Sequence, residues 1–437
     1  MTTTGTGSRE PGAGLNPLRQ VLPNGVTVIV KANHTTPAVS ILVSGRAGGY
    51  SDPPGKDGAA ALCARVLDRG TVSRPAAAIA DDLDGRGASL SVSTGRHQTA
   101  IGATCLADDF AAVLALAADI ARHPAFPENE VATRRADLIT SIRQEQDDPA
   151  AMAVDAFMRA LYGSHPYARK VRGTVETVEA LNRQDLVRCH QKGFQPSLTT
   201  IVIVGDVEEQ AAMAAVAGAF GDWKGGEPET LAVADASVVS KRQFVTVPMM
   251  NKSQADVAYG FIGTRRSDPD HVPLSVMNNA LGQYAIGGRL GDSIRERQGM
   301  AYYVYSSMDP GFGQGPLLIR AGVSADNVER TIASIDAELT EILAKGFTAK
   351  EINESKRYLV GSLPRQLETN AAIAAFLLNA EMFGLGLDYD VRVRSLVEAV
   401  TLEAANEGAR RLLDPARATI AVAGPYVNHE THEGHET

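Results

Sequence analysis

The sequence predicts an α+β fold of two similar domains, each a mostly antiparallel sheet with helices packed on one face. Three observations predict it. The chain has 437 residues and is 44% hydrophobic, which is more than one core absorbs, since single cores stop growing near ~250–300 residues. Each half runs strands, a helix, strands, long helices and a final strand, and this segregated order belongs to α+β sheets rather than to strict βαβ alternation. Between the halves, residues 221–241 change to Gly-Gly-Glu-Pro-Glu and then small residues, a stretch with little to bury.

The elements follow in order. Residues 1–16 are rich in Thr, Gly and Ser and read as a disordered lead-in before a first domain at 17–222. Residues 26–30 and 39–43 are short β-branched runs. A turn cluster at 45–58 leads into a helical pattern at 59–67. Two further β-like runs, 88–94 and 99–106, precede a helix at 109–121 that the acidic pair Asp108 and Asp109 starts. Residues 128–146 form a long charged helix without Gly or Pro, and 150–162 form another behind Pro149, a residue suited to the first helical position. Shorter helices are expected at 175–181 and 183–192. The apolar run 198–204 reads as a strand buried on both faces.

After a linker at 223–241, the second domain at 242–425 repeats the order. Strands are expected at 244–248 and 255–261, helices at 272–282 and 289–297, and strands at 301–308 and 317–323. Long helices at 328–345, 349–363 and 373–383 precede a last strand at 419–423. The shared pattern points to an internal duplication. Residues 426–437 read as a polar tail.

Composition excludes several function classes. Forty-two basic against 51 acidic residues give a net charge of −9, the wrong sign for a phosphate-binding surface, so no nucleic-acid partner is expected. Cys63, Cys105 and Cys189 are far apart and form no C-x-x-C pair, which suggests neither a disulfide framework nor a cysteine zinc site. No run reaches the ~18–20 apolar residues of a membrane span, so no membrane partner is expected. The opening lacks the charged start and apolar run of a secretory signal, and the chain reads as cytoplasmic, or periplasmic if a signal peptide has been removed. His429, His432 and His435 in the tail could in principle hold a metal, but a frayed polar end is the simpler reading.

Several segments carry a resemblance in a fixed order. They are Leu22-Pro23-Asn24-Gly25-Val26, Gly70-Thr71, Asp147-Asp148-Pro149, His165-Pro166-Tyr167-Ala168-Arg169-Lys170-Val171-Arg172-Gly173-Thr174, and Val202-Ile203-Val204-Gly205-Asp206-Val207. In the second half come Gly287-Gly288-Arg289-Leu290 and Ile294-Arg295-Glu296-Arg297-Gln298-Gly299-Met300-Ala301-Tyr302. None is specific alone; together they resemble the pitrilysin and mitochondrial-processing-peptidase family of zinc metallopeptidases. That resemblance implies a chain forming half of a clam-shell, the other half being a second chain.

The resemblance also implies where a metal would sit. The family's zinc site is an inverted H-x-x-E-H on the first helix, completed by a distant glutamate. Two imidazoles at i and i+4 share a helix face and grip the metal while the intervening Glu activates water. Anchored on Gly58 and Gly70-Thr71, the ligand positions here carry Ala61 and Arg65, and the base position carries Ala64. The distant ligand falls on Ser141, a register that Asp147-Asp148-Pro149 gives independently. Arg65 places a fixed cation where a dication would sit. Cys63, on the same helix, reads as a lone core thiol. No zinc site of the family type is expected, and no cofactor in this chain.

In the family's second half an Arg and a Tyr seven residues later hold the substrate backbone and help stabilise the oxyanion. Arg295 and Tyr302 have that spacing, and a guanidinium and a phenol are donors suited to a developing oxyanion. The alternative is structural, with Arg295 at a helix end and Tyr302 as a strand residue. Alternation along the strand puts Tyr302 on the face opposite Tyr303 and Tyr305. Residues 88–94 correspond to an edge strand that pairs with extended peptides in catalytic relatives, which makes Ser89, Leu90 and Ser91 candidate substrate-binding residues. His97, His165 and His190 read as ordinary packed or surface histidines.

The expectation is therefore a zinc-free subunit of a heterodimeric peptidase. Its homologous partner would carry H-x-x-E-H and the zinc, this chain would lend Arg295 and Tyr302, and unfolded peptides would be the substrates. Alone the chain would be inactive. The alternative is a non-enzymatic scaffold or peptide-binding protein, as in the core subunits of the respiratory bc1 complex, which resemble the same family.

Overall fold

The computed structural model describes residues 14–226, 233–283 and 288–427. Most of the expected lead-in (1–13), part of the linker (227–232), Gly287 and the polar tail from residue 428, with its three histidines, lie outside the described residues.

The first half contains β1 (Leu18–Val21), β2 (Thr27–Ala32), β3 (Ala38–Gly45), α1 (Ala59–Leu67), α2 (Ala76–Gly85), β4 (Ser89–Thr94), β5 (Thr99–Leu106), α3 (Phe110–Arg122), α4 (Glu128–Glu145), α5 (Pro149–Tyr162), α6 (Val175–Glu179), α7 (Arg183–Gly193), β6 (Thr200–Gly205) and α8 (Glu209–Phe220). The second contains β7 (Gln243–Pro248), β8 (Ala255–Ile262), α9 (His271–Asn278), β9 (Ala301–Met308), β10 (Pro316–Val323), α10 (Val328–Lys345), α11 (Ala349–Gln366), α12 (Asn370–Met382), α13 (Tyr389–Glu398), α14 (Leu402–Leu412) and β11 (Thr419–Gly424). Two further turns, Asn279–Gln283 and Gly291–Arg297, are wound as π-helix.

The two sheets have one topology. The first runs β1-β2-β6-β3-β5-β4 and the second β7-β11-β8-β10-β9. Once β1 is set aside, each position corresponds. In both sheets the first strand pairs in parallel with the last of its half, and the remaining pairs are antiparallel. The duplication expected from the element pattern is thus present strand by strand. Each half has its own helix-side core. Val28, Ile41, Ile101, Leu62 and Leu114 belong to the first, and Val257, Tyr259, Ile319, Ile335 and Leu339 to the second.

The other face of each sheet receives a helix from the opposite half. Ala153, Phe157 and Leu161 of α5 pack on Ala258, Leu318, Ala421 and Ala423 of the second sheet. Reciprocally, Ile373, Ala374, Leu377 and Leu378 of α12 pack on Ile29, Val202 and Val204 of the first. Both helices start firmly: the Asp148 carboxylate accepts the Ala150 N–H at 3.0 Å ahead of Pro149, and the Thr369 hydroxyl accepts the Ala372 N–H at 3.1 Å. Such caps satisfy donors that a helix start leaves orphaned.

Five elements were not anticipated. β1 is short and its outer residues are exposed, so it has no apolar alternation to announce it. α2 and α8 are alanine-rich and carry few large periodic residues. α13 buries only Tyr389 and Val397, and α14 buries Ala405, Asn406, Gly408 and Ala409, so neither carries the run of large apolar residues that marks a helix most plainly.

Candidate functional site

The family-like motif of the first half builds the approach to α1. Asp52 is buried and its carboxylate accepts the N–H groups of Gly58 at 2.9 Å and Ala60 at 3.0 Å, which caps the helix. Burial pushes that carboxyl up to about 7, against the pull of these two N–H groups and of Arg169. Arg169 in turn donates to the carbonyls of Asp52 and Tyr50 and to the Asp57 carboxylate. Gly173 has φ +73, and a Cβ there would lie 2.2 Å from the Asp57 carbonyl oxygen, so only glycine fits this close approach. The segment 165–174 is a strap that holds α1's entrance loop.

On α1 itself, Ala61 and Ala64 are each 4% exposed, and Arg65 is half-buried. α1 packs against α4 and α7. On α4 the Ser141 hydroxyl is used locally, donating to the Leu138 carbonyl at 2.8 Å. Two methyl groups in a closed core, a guanidinium and a committed hydroxyl do not fit zinc, which needs nitrogen, sulfur or carboxylate ligands and an open position. Among the described residues no group of three or more His, Cys, Asp or Glu side chains is placed to hold a metal ion.

Cys63 is not the lone thiol the sequence suggested. α7 brings Cys189 close to it, and that neighbouring thiol, together with burial, pushes the Cys63 thiol well up, while the Cys63 S–H donates to the Leu186 carbonyl at 3.8 Å. Sequence separation hid this pair; the packing of α1 on α7 makes it.

The histidines are structural. His165 Nδ1 accepts the Tyr167 N–H at 3.1 Å, and its Nε2 faces the Ala234 carbonyl at 3.1 Å, so a neutral ring is fully used. His190 Nε2 lies 2.8 Å from the Ala121 carbonyl, and its ring stacks on Phe194. His97 Nε2 lies 2.7 Å from the Tyr167 hydroxyl. Burial and the neighbouring Arg96 lower the His97 pKa to about 4.

In the second half, Gly288 takes φ +85. Arg289 forms a two-pronged bond to Glu351, at 2.9 and 3.0 Å, with its guanidinium over the Phe347 ring, a rigid geometry that secures the turn. Arg295 follows on the π-wound turn Gly291–Arg297 and pairs with Glu296 at 2.6 Å, among other contacts. Gly299, at φ +62, then turns the chain into β9.

Tyr302 sits at a β-bulge. Tyr303 pairs with Gly322, but Ala301 pairs with Val323, so Tyr302 is the extra residue. Ala301 and Val304, three residues apart, both join the helix-side core. The alternation expected to separate Tyr302 from Tyr303 and Tyr305 therefore fails at this point, because a bulge inserts a residue and re-aims side chains. Tyr302 is 64% exposed. Tyr303, by contrast, donates to the buried Asp256 carboxylate. Arg320 stands 3.9 Å from Asp256 and donates to the Tyr305 hydroxyl at 3.1 Å.

Among the described residues, β9 has β10 alone as a strand partner and β4 has β5 alone. These are equivalent edges of the two sheets. Ser89 and Ser91 are exposed along β4, while Leu90 turns inward against the first core. The candidate residues thus divide between two edges: Ser89–Ser91 on the first, Tyr302 with Arg295 just before it on the second.

Two family models match the chain. Residues 27–175 match the family described as "Insulinase (Peptidase family M16)", and residues 180–359 match the one described as "Peptidase M16 inactive domain". An "Uncharacterized zinc protease" of Mycobacterium tuberculosis is 28% identical over 95% of each chain. A "Non-peptidase homolog YmxG" of Helicobacter pylori is 24% identical over 87% of this chain and 88% of its own. The crystal structure of a peptidase M16 inactive domain from Pseudomonas fluorescens superposes with a TM-score of 0.88 at 25% identity, covering 94% of this chain and 98% of that one. The paired sheets are the half clam-shell of that fold. Among the described residues no helix is long and apolar enough to cross a membrane. Both halves of this chain are accordingly homologous to the M16, or pitrilysin-family, zinc peptidases, the second half to their inactive domain.

Proposed function

We propose that this chain is the zinc-free subunit of a heterodimeric M16 peptidase. Its partner carries H-x-x-E-H and the zinc, and this chain contributes Arg295 and Tyr302 to hold the peptide and stabilise the oxyanion. The observation that carries the reading is Tyr302: a large aromatic residue 64% exposed at a bulge on an unpaired sheet edge, one short turn after Arg295. Bulges beside sheet edges serve to aim side chains, and a strand residue with only a structural role gains nothing from such exposure. The edge of β4 supports a second element of the reading, since Ser89 and Ser91 flank backbone groups open to an extended peptide.

The test is hydrolysis of an unstructured fluorogenic peptide, with zinc measured, by this chain alone and mixed with an H-x-x-E-H homologue from the same genome. Activity and zinc in the mixture alone support the reading. Activity with zinc in this chain alone defeats it. Inactivity in both favours the second reading, a scaffold or peptide-binding protein. The closed face of α1 and the non-peptidase relative speak for that alternative.

A further inference from the structure

A cavity of about 460 Å³ opens within the second half, between α9, α11, α12 and α13. Leu359, Leu363, Phe376 and Phe383 make its wall apolar, and Met308 and Pro310 close the side toward the end of β9. Its volume falls in the usual range for small-molecule sites, which combine apolar walls with a few polar groups.

Of the charged and titratable groups lining it, Arg394 is paired with Glu398 at 3.0 Å, which leaves Arg266 and His271. The Arg266 guanidinium lies 5.3 Å from the centre of the Tyr389 ring and donates to its hydroxyl at 3.2 Å. No described carboxylate forms an ion pair with it, whereas the half-buried Arg169, Arg242 and Arg289 each have an acidic partner. His271 adds no charge of its own, since burial and the nearby Arg266 hold its pKa at about 4. The Ser275 hydroxyl gives its hydrogen to the His271 carbonyl at 2.8 Å and so faces Nε2, at 3.4 Å, as an acceptor. His271 Nδ1 is left buried with no partner among the described residues.

An apolar wall around one guanidinium that no described carboxylate pairs suits a ligand with a single negative charge and an apolar body. We propose that this cavity binds a small monocarboxylate with an apolar body, its carboxylate on Arg266 and its body against the leucines and phenylalanines. One guanidinium balances a single negative charge and leaves a dianion half compensated. The site lies apart from Arg295 and Tyr302, at the far end of β9, and does not depend on peptidase activity.

Calorimetric titration of the full chain with phenylbutyrate, with phenylbutanol and with inorganic phosphate tests this. Phenylbutyrate should bind one per chain, and phenylbutanol about tenfold more weakly or worse, the loss expected when a charged hydrogen bond disappears. Arg266→Gln should erase the difference between the two ligands, and Val393→Phe, which fills the cavity wall, should weaken both. The proposal is overturned if phenylbutyrate does not bind, if acid and alcohol bind the wild type equally, if phosphate binds as well as the acid, or if Val393→Phe binds like the wild type. Should Arg266→Gln fail to fold, the acid-to-alcohol comparison on the wild type and the Val393→Phe result still decide.

Discussion

The Tyr167 hydroxyl stands 2.7 Å from His97 Nε2 and accepts the Gly313 backbone N–H at 2.8 Å. One phenol thus ties the strap of the first half to the β9–β10 loop of the second. Because Gly313 N–H is a donor and the ring of His97 is held neutral, the phenol hydrogen goes to His97 and both polar contacts are satisfied. The Tyr162 hydroxyl reinforces the joint by donating to the Gln314 carbonyl at 2.7 Å, and Arg96 reaches Asp309 at 3.0 Å. Residues that carry the family resemblance here serve to dock the halves.

Tyr167→Phe keeps the ring and removes the oxygen. The buried Gly313 N–H and His97 Nε2 then lose their partner, an expected cost of about 1–3 kcal/mol. Urea unfolding should read this as a lower midpoint with an unchanged slope. A change within about 0.5 kcal/mol, the range of ordinary surface substitutions, would mean the joint is not held by this oxygen.

The pH dependence of stability should carry the same signature. His97 has a folded pKa of about 4, below the ~6.5 of an unfolded histidine. As pH falls below ~6.5 the unfolded chain takes up a proton that the folded chain refuses until about pH 4, so stability is full above this window and declines across it. His271 acts with the same sign over the same range. His97→Asn should flatten the decline between pH 6.5 and 4, and an identical slope in the variant would remove His97 from the account.

What the sequence disclosed and what it hid separate along physical lines. The apolar run that became β6 and the amphipathic period that became α10 were legible because burial alone writes those patterns. The exchange of α5 and α12 was not, since an apolar helix face states that something covers it without stating which sheet. The bulge at Tyr302 was hidden for a related reason: strict alternation is the default for a strand, and the register shift opposite Gly322 and Val323 exists only once β9 and β10 are paired. The expectation that Ala61, Ala64, Arg65 and Ser141 stand at the family's zinc positions rests on the sequence anchors on either side, and what packing adds is that Ala61 and Ala64 are each 4% exposed. Cys63 was legible as a core thiol, but the approach of Cys189 was not, because that neighbour arrives on a distant helix.

Thiol reactivity checks that pair. The thiolate is the nucleophile, and Cys63 is held well up by the neighbouring Cys189 thiol and by burial, while burial pushes Cys105 up to about 11. Iodoacetamide at neutral pH should leave Cys63 and Cys105 unlabelled in the folded chain, and all three cysteines should label in urea. Fast labelling of Cys63 under native conditions would show that α1 and α7 are not packed together as described.

In a heterodimer that hydrolyses peptide, Arg295→Ala and Tyr302→Phe should each lower turnover by about 10²–10³-fold, the usual loss when an oxyanion donor is removed. Tyr302 is largely exposed, so its variant should unfold at the wild-type midpoint and co-purify with the partner. Unchanged turnover in both variants would return the pair to a structural role.

Installing the family's ligands at the positions where the sequence anchors expect them is the most demanding case. The changes Ala61→His, Ala64→Glu, Arg65→His and Ser141→Glu would recreate the inverted motif and its distant carboxylate. They should nevertheless fail to yield a stoichiometric zinc site. Ala61 and Ala64 are each 4% exposed in the core that α1 shares with α4 and α7, so an imidazole and a carboxyl must enter space already filled. Overpacking of this kind costs about 1–3 kcal/mol at each position, and Ala64→Glu adds a buried carboxyl with no established partner. A catalytic zinc also needs an open fourth position for water, which a closed helix face does not offer. Zinc content by mass spectrometry and the urea midpoint, measured together, separate the outcomes. A folded, destabilised chain without zinc means that packing as well as ligand chemistry keeps zinc out of this helix. One zinc per chain at wild-type stability would mean that only the ligands were lost.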